Sequence, residues 1–334
     1  MKAWQVLRHG EPADVLSLAE VDIPEPGPEQ LLVRVRAAAL NFPDVLMCRG
    51  QYQVRPPLPF TPGVELCGEV VAVGCGAGGN GSSGVEPGDR IIGTTAMPHG
   101  ALAEYALLDS GDAVAAPDQL DDAAAAALHI GYQTAWFGLH RRARLQAGET
   151  LLVHAAAGGV GSAAVQLGKV AGARVVAVVG GTAKAEAARE LGADVVIDRT
   201  AVELVPALKE VTGRHGADVV FDPVGGDSYA AATRCIAFEG RIVVVGFASG
   251  DIPAPHLAHA LVKNYSIIGL HWGLYRRFDA AAVADAHAKL SALTASGAIS
   301  PLIGGTLPLA DAPAGLTRLA TGDSIGRLIV TGGG

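Results

Sequence analysis

The sequence has few charged and few aromatic residues, and it lacks any long run of basic ones. Charged side chains make up 17% and aromatic side chains 5% of the 334 residues. The 33 acidic residues outnumber the 25 basic ones, which gives a formal net charge of -8. Nucleic acids and anionic membranes attract basic surfaces. The composition therefore predicts neither a nucleic acid nor a membrane as a partner.

Cysteine is also scarce. The chain has four cysteines, Cys48, Cys67, Cys75 and Cys235, and no two of them form a C-x-x-C pair. This spacing argues against a zinc cage or a disulfide framework and predicts reduced thiols in a cytoplasmic protein. The first ten residues contain no apolar core followed by a cleavage site, so no signal peptide is predicted.

Apolar residues and glycine are abundant. Half of the residues are apolar and glycine occurs 44 times, which is typical of a compact α/β protein of this length with two domains. One uncharged run, residues 150–168, is long enough to raise the question of a membrane span. Its interior glycines, His154 and Gln166 instead favour a unit of strand, turn and helix.

That unit contains the most informative motif of the chain. The three apolar residues Leu151–Val153 predict a buried strand, and a helical apolar pattern begins at Val160. Ala156, Gly158 and Gly161 occupy the three glycine positions of a dinucleotide fingerprint, where small residues let the backbone approach a pyrophosphate. The helix N-terminus would then direct its N–H groups at the phosphates. A tight turn without a ligand is the alternative.

The rest of the chain predicts two kinds of domain. Residues 1–120 read as short strands broken by proline and glycine, with a low-complexity hairpin tip at residues 74–84. The strands predicted in this part are Lys2–Val6, Leu31–Ala38, Gly68–Val73 and Arg90–Thr94. From Asp121 onward helices appear, and strands and helices then alternate as far as Leu270. That alternation is typical of an α/β fold with a doubly wound parallel sheet.

Local signals refine this pattern. Pro206 predicts a helix that is kinked or begins late, and Gly192, Gly213 and Gly240 are predicted helix C-caps. A helix is predicted at about residues 227–237. The tail after Trp272 again mixes strands and helices and is predicted to fold back onto the N-terminal part. The predicted domains are therefore residues 1–123 together with 272–334, and residues 124–271.

Several motifs in this order resemble the zinc-independent quinone oxidoreductases of the medium-chain dehydrogenase/reductase superfamily, the zeta-crystallin-like proteins. The matching segments are Asn41–Tyr52, Pro62–Glu65, Gly88–Arg90, Ala103–Tyr105, His154–Gly161, Leu191–Asp194 and Asp222–Gly226. The resemblance runs almost end to end. It implies a β-rich GroES-like catalytic domain, a Rossmann dinucleotide-binding domain and NADPH in the cleft.

The resemblance also bears on metal. Zinc alcohol dehydrogenases of this superfamily carry a cysteine near the position of Asn41 and Gly-His-Glu where this chain has Gly63, Val64 and Glu65. Catalytic zinc needs three protein ligands, commonly Cys and His, and neither Asn41 nor Val64 supplies one. No metal is therefore predicted, and His154 and His129 are interpreted as packed core imidazoles.

Charges past the fingerprint favour NADPH over NADH. An NAD site places an acid about twenty residues further on, whereas the first acid after Gly161 is Glu186. Lys184 and Arg199 supply cations for a 2′-phosphate, although both would also suit a solvated surface. Gly180 stands where the family usually has serine.

The other cofactor contacts follow from the resemblance. The predicted set comprises Thr134, Gly158, Gly159, Val160, Gly161, Gly180, Gly181, Lys184, Arg199, Gly246, Phe247, Ala248, Ser249, Gly269, Leu270 and His271. For Gly269–His271 a strand at the sheet edge in a dimer interface is the alternative. A homodimer is predicted.

Catalysis without metal requires hydrogen-bond donors for the oxyanion that forms on the acceptor. Asn41 and Tyr52 are the predicted donors, because an amide N–H and a phenol O–H do not titrate near neutral pH. For Tyr52 the alternative is an aromatic ring packed on the cofactor. Asp44 is interpreted as structural or water-ordering, since a carboxylate would repel the growing charge.

The sequence thus predicts an NADPH-dependent reductase of quinones or other α,β-unsaturated carbonyl compounds. One alternative is an enoyl-thioester reductase, for which Arg141, Arg142 and Arg144 form a compact basic cluster, unless they cover a helix end. Another is a crystallin-like protein that binds NADPH without turnover.

Overall fold

The computed structural model describes residues 1–76 and 84–332. Most of the predicted hairpin tip at 74–84 therefore lies outside the described residues. The chain divides into two compact units. The first contains Met1–Ile130, Phe278–Ala295 and the segment from Ser300 onward, and the second contains Gly131–Arg277 and Ser296–Ile299.

The first unit is rich in β-structure. Its strands are β1 (Lys2–Val6), β2 (Leu16–Glu20), β3 (Gln30–Ala39), β4 (Glu65–Val73), β5 (Arg90–Thr94), β6 (Tyr105–Asp109), β7 (Ala113–Ala115), β14 (Ile303–Pro308) and β15 (Arg327–Thr331). Its helices are α1 (Pro12–Val15), α2 (Phe42–Cys48), α3 (Asp122–Ala126), α11 (Ala280–Ala295) and α12 (Ala312–Ala320), with short 3₁₀ turns at Ser110–Asp112 and Leu309–Asp311.

The large sheet of this unit joins the two ends of the chain. Its strand order is β14-β15-β3-β4-β5-β7, and β6 pairs separately with β3. Because β15 lies antiparallel to β3, with Ile329 opposite Ala39, the tail folds back onto the N-terminal part as predicted. Apolar side chains such as Leu31, Leu66 and Leu316 form a buried core on this sheet.

The second unit alternates strands and helices. Its strands are β8 (Thr150–His154), β9 (Arg174–Val179), β10 (Val195–Asp198), β11 (Ala217–Asp222), β12 (Ile236–Val244) and β13 (Ser266–Gly269). Its helices are α4 (His129–Trp136), which begins in the first unit and continues into a π-helical turn at Phe137–Arg142, α5 (Gly159–Val170), α6 (Thr182–Glu190), α7 (Leu204–Thr212), α8 (Gly226–Cys235), α9 (Leu257–Lys263) and α10 (Gly273–Phe278).

These six strands form one parallel sheet in the order β10-β9-β8-β11-β12-β13. The order reverses between β8 and β11, which is the switch point of a doubly wound fold. The predicted fold class, an α/β protein with such a sheet and a second β-rich domain, is confirmed. Residues 150–168 form β8, the glycine turn and most of α5. Within the part of the chain described, no helix combines the length and apolar character needed to cross a membrane.

One local prediction is confirmed and two need correction. The helix with Pro206 begins late, at Leu204, as predicted, so the proline lies in the first turn, where a missing N–H removes no helical hydrogen bond. Gly240 is not a helix C-cap but lies inside β12, which begins at Ile236 directly after α8. The predicted helix at 227–237 thus extended two residues beyond the observed end at Cys235, because pairing of Ile236 with Ala217 on β11 outweighs local helix propensity.

Arg241 ties together the amino-terminal edge of the second unit. Its guanidinium binds both carboxylate oxygens of Glu149 at 2.8 Å and donates to the carbonyl of Ala143 at 3.0 Å, after the π-helical turn. Both side chains of this ion pair are about one-fifth exposed, at 19% and 21%. Removing the guanidinium would leave the largely buried Glu149 carboxylate and the Ala143 carbonyl without these hydrogen bonds.

We expect Arg241→Met to lower the free energy of unfolding by about 1–3 kcal/mol, the scale of leaving buried polar groups unsatisfied. Denaturant unfolding of the purified variant measures the change. The control is Lys289→Met, which removes the exposed Lys289–Asp285 pair (53% and 63% exposed); we expect at most about 1 kcal/mol there. Equal losses in the two variants would contradict this account of Arg241.

Candidate functional site

The predicted cofactor residues of the second unit gather at one edge of its sheet. The glycine turn follows β8, Gly180 and Gly181 follow β9, and Arg199 follows β10. Residues 246–249 come just after β12, and Leu270 and His271 follow β13. All six strands are parallel, so these segments lie at their carboxyl ends, where open α/β sheets bind ligands. Thr134 is the exception, since it lies on α4.

The turn after β8 explains which glycine is obligatory. A Cβ at Gly161 would lie 2.1 Å from the carbonyl oxygen of Ala155, so no larger residue fits between helix and turn. Gly158 has φ -88° and ψ -179°, an extended conformation open to any residue. The backbone dihedral angles therefore do not require glycine at position 158. The left-handed residue is Ala155, with φ 49°.

The first turn of α5 forms a backbone surface suited to an anion. The helix begins at Gly159, and its first regular hydrogen bond runs from the N–H of Ser162 to the carbonyl of Gly158. The N–H groups before Ser162 have no partner inside the helix by geometry. Gly158, Gly159 and Val160 are partly exposed, so this end of the helix is open to a phosphate group.

Helix α4 packs against the same turn. A Cβ at Gly131 would lie 3.4 Å from the carbonyl oxygen of Gly159, and Gln166 of α5 donates to the Tyr132 hydroxyl at 2.8 Å. Thr134 is only 8% exposed on this helix. The contacts fix α4 to the fingerprint through two independent points.

Arg199 lies across Gly180. A Cβ at Gly180 would lie 3.4 Å from both Nε and Nη2 of Arg199. A side chain at position 180 would therefore be in van der Waals contact with the guanidinium. Lys184, on the first turn of α6, is partly exposed.

Asp198, an acid that was not predicted from the sequence to take part in this site, lies next to Gly181. Asp198 Oδ1 accepts hydrogen bonds from the N–H of Gly181 at 2.8 Å and from the N–H and hydroxyl of Thr200. These donors lower the pKa of Asp198. Counting residues along the chain from Gly161 to Glu186 suggested that no carboxylate lies beside Gly181, and this expectation is corrected. The acid comes from the end of the neighbouring strand β10, which the spacing after β8 could not show. The N–H of Gly181 is occupied by this contact.

The other two segments at the edge are held by backbone hydrogen bonds. Ala248 and Ser249 donate their N–H groups to the carbonyls of Pro223 and Val224, and Leu270 donates to Val244. Asp222 in turn accepts from the N–H groups of Val224 and Gly225. The loops after β11, β12 and β13 are therefore mutually braced at the predicted cofactor edge.

His154 ends β8 directly before the turn. Its side chain is fully buried, and burial lowers its pKa, with the nearby Asp222 carboxylate opposing that shift. The imidazole is therefore neutral at physiological pH. His129 in the first unit is 2% exposed, and both histidines match the prediction of packed core imidazoles.

In the first unit, Asn41 is buried in a polar network. Its amide Nδ2 donates to the carbonyl of Ala39 at 3.0 Å and to Glu65 at 2.9 Å, while Oδ1 accepts from Arg327 Nη1 at 2.9 Å. An amide has two hydrogens, and both are used. Donation from Asn41 to a substrate oxygen would require one of these bonds to break.

Glu65 and Arg327 complete this network and were not singled out from the sequence. The Glu65 carboxylate is fully buried, binds the Arg327 guanidinium and accepts the N–H of Ile130 at 2.6 Å. Burial raises the pKa of Glu65, and the Arg327 charge opposes that shift. The available signal was a charged residue at the first position of an otherwise largely apolar strand, Glu65 in β4 and Arg327 in β15.

Asp44 has a structural role. It accepts the N–H groups of Asn41, Gly63 and Val64 at 2.9–3.1 Å and thereby fixes the start of α2 against the segment before β4. Complete burial raises the pKa of Asp44 to about 6, although the three donors oppose the shift.

Tyr52 is half-buried and packs against a small apolar cluster of the first unit. The cluster consists of Val6, Val15, Met47, Cys48 and Phe60. The ring is thus anchored by this unit's own core.

The described residues contain no group of three or more His, Cys, Asp or Glu side chains arranged to hold a metal ion. Cys48, Cys67, Cys75 and Cys235 are free thiols. Burial raises the pKa of Cys48 and of Cys67 to about 12, so these two thiols are protonated at neutral pH.

Comparison with known proteins agrees with this architecture. Residues 27–118 match the family model described as an alcohol dehydrogenase GroES-like domain, and residues 159–287 match the one described as a zinc-binding dehydrogenase. The solved quinone oxidoreductase of Escherichia coli in complex with NADPH is 29% identical, covers 99% of this chain and 100% of its own, and superposes with a TM-score of 0.89.

Curated relatives give the same result. A mycocerosic acid synthase-like polyketide synthase of Mycobacterium tuberculosis is 32% identical over 317 residues, which cover 94% of this chain but 15% of that protein. Quinone oxidoreductase-like protein 2 of Mus musculus is 38% identical over 295 residues, which cover 88% of this chain and 82% of the relative. The chain therefore belongs to the medium-chain dehydrogenase/reductase superfamily and, within it, to the quinone oxidoreductase-like proteins.

Proposed function

We propose that this protein is an NADPH-dependent oxidoreductase that transfers hydride to quinones or other α,β-unsaturated carbonyl compounds without a metal ion. The observation that carries the proposal is the edge of the parallel sheet where a glycine turn, an open helix N-terminus and the cations Lys184 and Arg199 follow adjacent strands. The E. coli quinone oxidoreductase, of similar fold, was solved with NADPH.

The charges of this edge favour NADPH. Arg199 and Lys184 contribute two positive charges, and Asp198 contributes one negative charge that already accepts three hydrogen bonds through a single oxygen. A 2′-phosphate would form charge-assisted hydrogen bonds with the two cations. The backbone N–H groups of Gly158–Gly161 would hold the pyrophosphate.

NADPH supplies the hydride when it is bound. The loops at 246–249 and 269–271 and Thr134 of α4 would border its nicotinamide half, and the bracing of those loops would keep that border rigid. Precise placement of the two reacting groups is itself a large catalytic effect.

The network around Glu65 supports a reaction without zinc. Where zinc-dependent relatives offer ligands, Asn41 and Glu65 are bonded to the Arg327 guanidinium. A permanently positive group at this point repels a divalent cation and occupies the carboxylate.

We propose Tyr52 as the donor to the acceptor oxygen. Its ring is anchored by the apolar cluster of the first unit, and a phenol can donate without titrating near neutral pH. Asn41 was predicted as a second donor, but its amide hydrogens are engaged, so we assign it to holding the network in place.

An enoyl-thioester reductase is the second candidate, because this chain aligns over almost its whole length with one segment of a polyketide synthase. Of the basic cluster at 141–144, Arg141 and Arg142 lie in the last turn of the helical segment that ends at Arg142, which agrees with the alternative interpretation that these arginines cover a helix end. The Arg141 guanidinium also lies 5.0 Å from the ring centroid of Tyr275. A non-catalytic NADPH-binding protein remains as an outcome of the activity test below.

We also propose a cytoplasmic homodimer. Strand β13 is the outer strand of the parallel sheet, and the neighbouring helix α9 exposes Leu257, Leu261 and Val262 by 73–78%. An unpaired sheet edge beside exposed apolar side chains is suited to pairing with a second copy. A solution mass of one chain at micromolar concentration would reject the dimer.

The activity test measures NADPH oxidation with ortho-quinones, para-quinones, short enones and enoyl-CoA thioesters. We expect turnover with quinones or enones, unchanged after prolonged treatment with a chelator. Preference for enoyl-CoA would select the second candidate. Stoichiometric binding of NADPH without turnover of any compound would select the binding protein.

For the cofactor, we expect Arg199→Ala to weaken NADPH binding by about 1–3 kcal/mol, the scale of a lost hydrogen bond to a charged group. Titration calorimetry with NADPH and NADH measures the change. NADH affinity should stay nearly constant, and Arg189→Ala, which replaces an exposed arginine in the last turn of α6, serves as the matched control. Equal weakening of both nucleotides would contradict the phosphate assignment.

For the acceptor, we expect Tyr52→Phe to lower kcat and kcat/KM together, by at most about 10²–10³-fold, the range for one oxyanion donor. Steady-state kinetics with the best acceptor of the panel measures the change. If the ring only packs, Phe substitutes without effect and Ala weakens NADPH. If Asn41→Ala loses activity while Tyr52→Phe keeps the activity of the parent, Asn41 and not Tyr52 is the donor.

A further inference from the structure

Helix α4 begins at a buried charge that belongs to a distant strand. Glu65, at the start of β4, accepts the N–H of Ile130 at 2.6 Å, and the N–H of His129 also stabilises its carboxylate. A negative charge at a helix N-terminus satisfies donors that have no helical partner and complements the helix dipole. The first turn of α4 is therefore fixed to β4.

Arg327 holds Glu65 in that position from the other side. Its guanidinium binds the Glu65 carboxylate and the Asn41 amide oxygen, and its side chain is 6% exposed. A buried ion pair contributes little net stability compared with apolar residues of similar size. Its energetic effect is to allow only one arrangement of the segments that it joins, since any other leaves a buried charge unpaired.

The remainder of α4 carries the residues that meet the fingerprint. Gly131 approaches the carbonyl of Gly159, the Tyr132 hydroxyl accepts from Gln166, and Thr134 follows. Because the helix is continuous over His129–Trp136, Thr134 lies on the same helix as the turn that Glu65 holds.

We propose that Glu65 and Arg327 are positioning residues, which act through α4 to place Thr134 beside the nicotinamide half of the cofactor. The cofactor part of this inference rests on the proposed function. The adenosine half would be bound by the separate turn and cations, so the pair would influence hydride transfer without influencing adenosine-phosphate binding.

The test variant is the double substitution Glu65→Met with Arg327→Met, which removes both charges and leaves neither unpaired. The matched control is Lys169→Met with Asp194→Met, an ion pair between the last turn of α5 and the residue before β10, at the opposite, amino-terminal edge of the second unit's sheet. Three quantities are measured in both: amide hydrogen exchange over residues 129–136 in the free protein, kcat with NADPH and a para-quinone, and the dissociation constant of 2′,5′-ADP.

We expect faster exchange over residues 129–136 in the Glu65/Arg327 variant and a 10- to 100-fold lower kcat, the effect of a misplacement of about 1 Å. The dissociation constant of 2′,5′-ADP should stay within twofold of the parent, and the control should match the parent in exchange over this helix and in kcat.

Three results would overturn the proposal. They are unchanged exchange over 129–136, a kcat within twofold of the parent, or a loss of 2′,5′-ADP binding that parallels the loss of kcat. If the double variant does not fold, Glu65→Gln replaces it with the same expectations, and failure of both to fold assigns the pair a purely structural role. If the parent protein binds neither NADPH nor 2′,5′-ADP, the proposed function is wrong. The exchange measurement still decides whether Glu65 fixes the first turn of α4.

Discussion

The buried negative charge of Glu65 is the constraint on which the first unit depends. A carboxylate removed from water must be surrounded by donors, because each missing partner leaves a large desolvation penalty uncompensated. The donors come from Asn41 before α2, from the start of α4 and from Arg327 in the last strand. One charge therefore joins segments that are remote in sequence. The large sheet joins two of the same segments, because β15, which begins with Arg327, pairs with β3, which ends shortly before Asn41.

The second unit could be predicted from sequence to a greater extent than the site. Strands β8, β9 and β10 contain continuous apolar runs of three to five residues, helical patterns lie between them, and both kinds of pattern are local properties of the sequence. In the first unit, the bounds of β1, Lys2–Val6, and of β5, Arg90–Thr94, are those that the sequence predicts. The glycine turn was recognised because its strand and helix flank it directly.

The features that sequence could not provide depend on partners from other segments. Gly240 has the local signal of a helix C-cap, but pairing with β11 makes it part of a strand. Asp198 reaches Gly181 only because β10 lies next to β9. Asn41 looked like a free amide, and only the fold shows that Glu65 and Ala39 take both of its hydrogens.

The contact between Gly180 and Arg199 has a consequence for substitutions at either position. A Cβ at position 180 would lie 3.4 Å from Nε and Nη2 of Arg199, which is ordinary van der Waals contact. A serine at 180 could therefore be accommodated, but its side chain would touch the guanidinium and limit the conformations open to it. The effects of substitutions at contacting positions are generally not additive, so a change at residue 180 would have to be measured together with the residue present at 199.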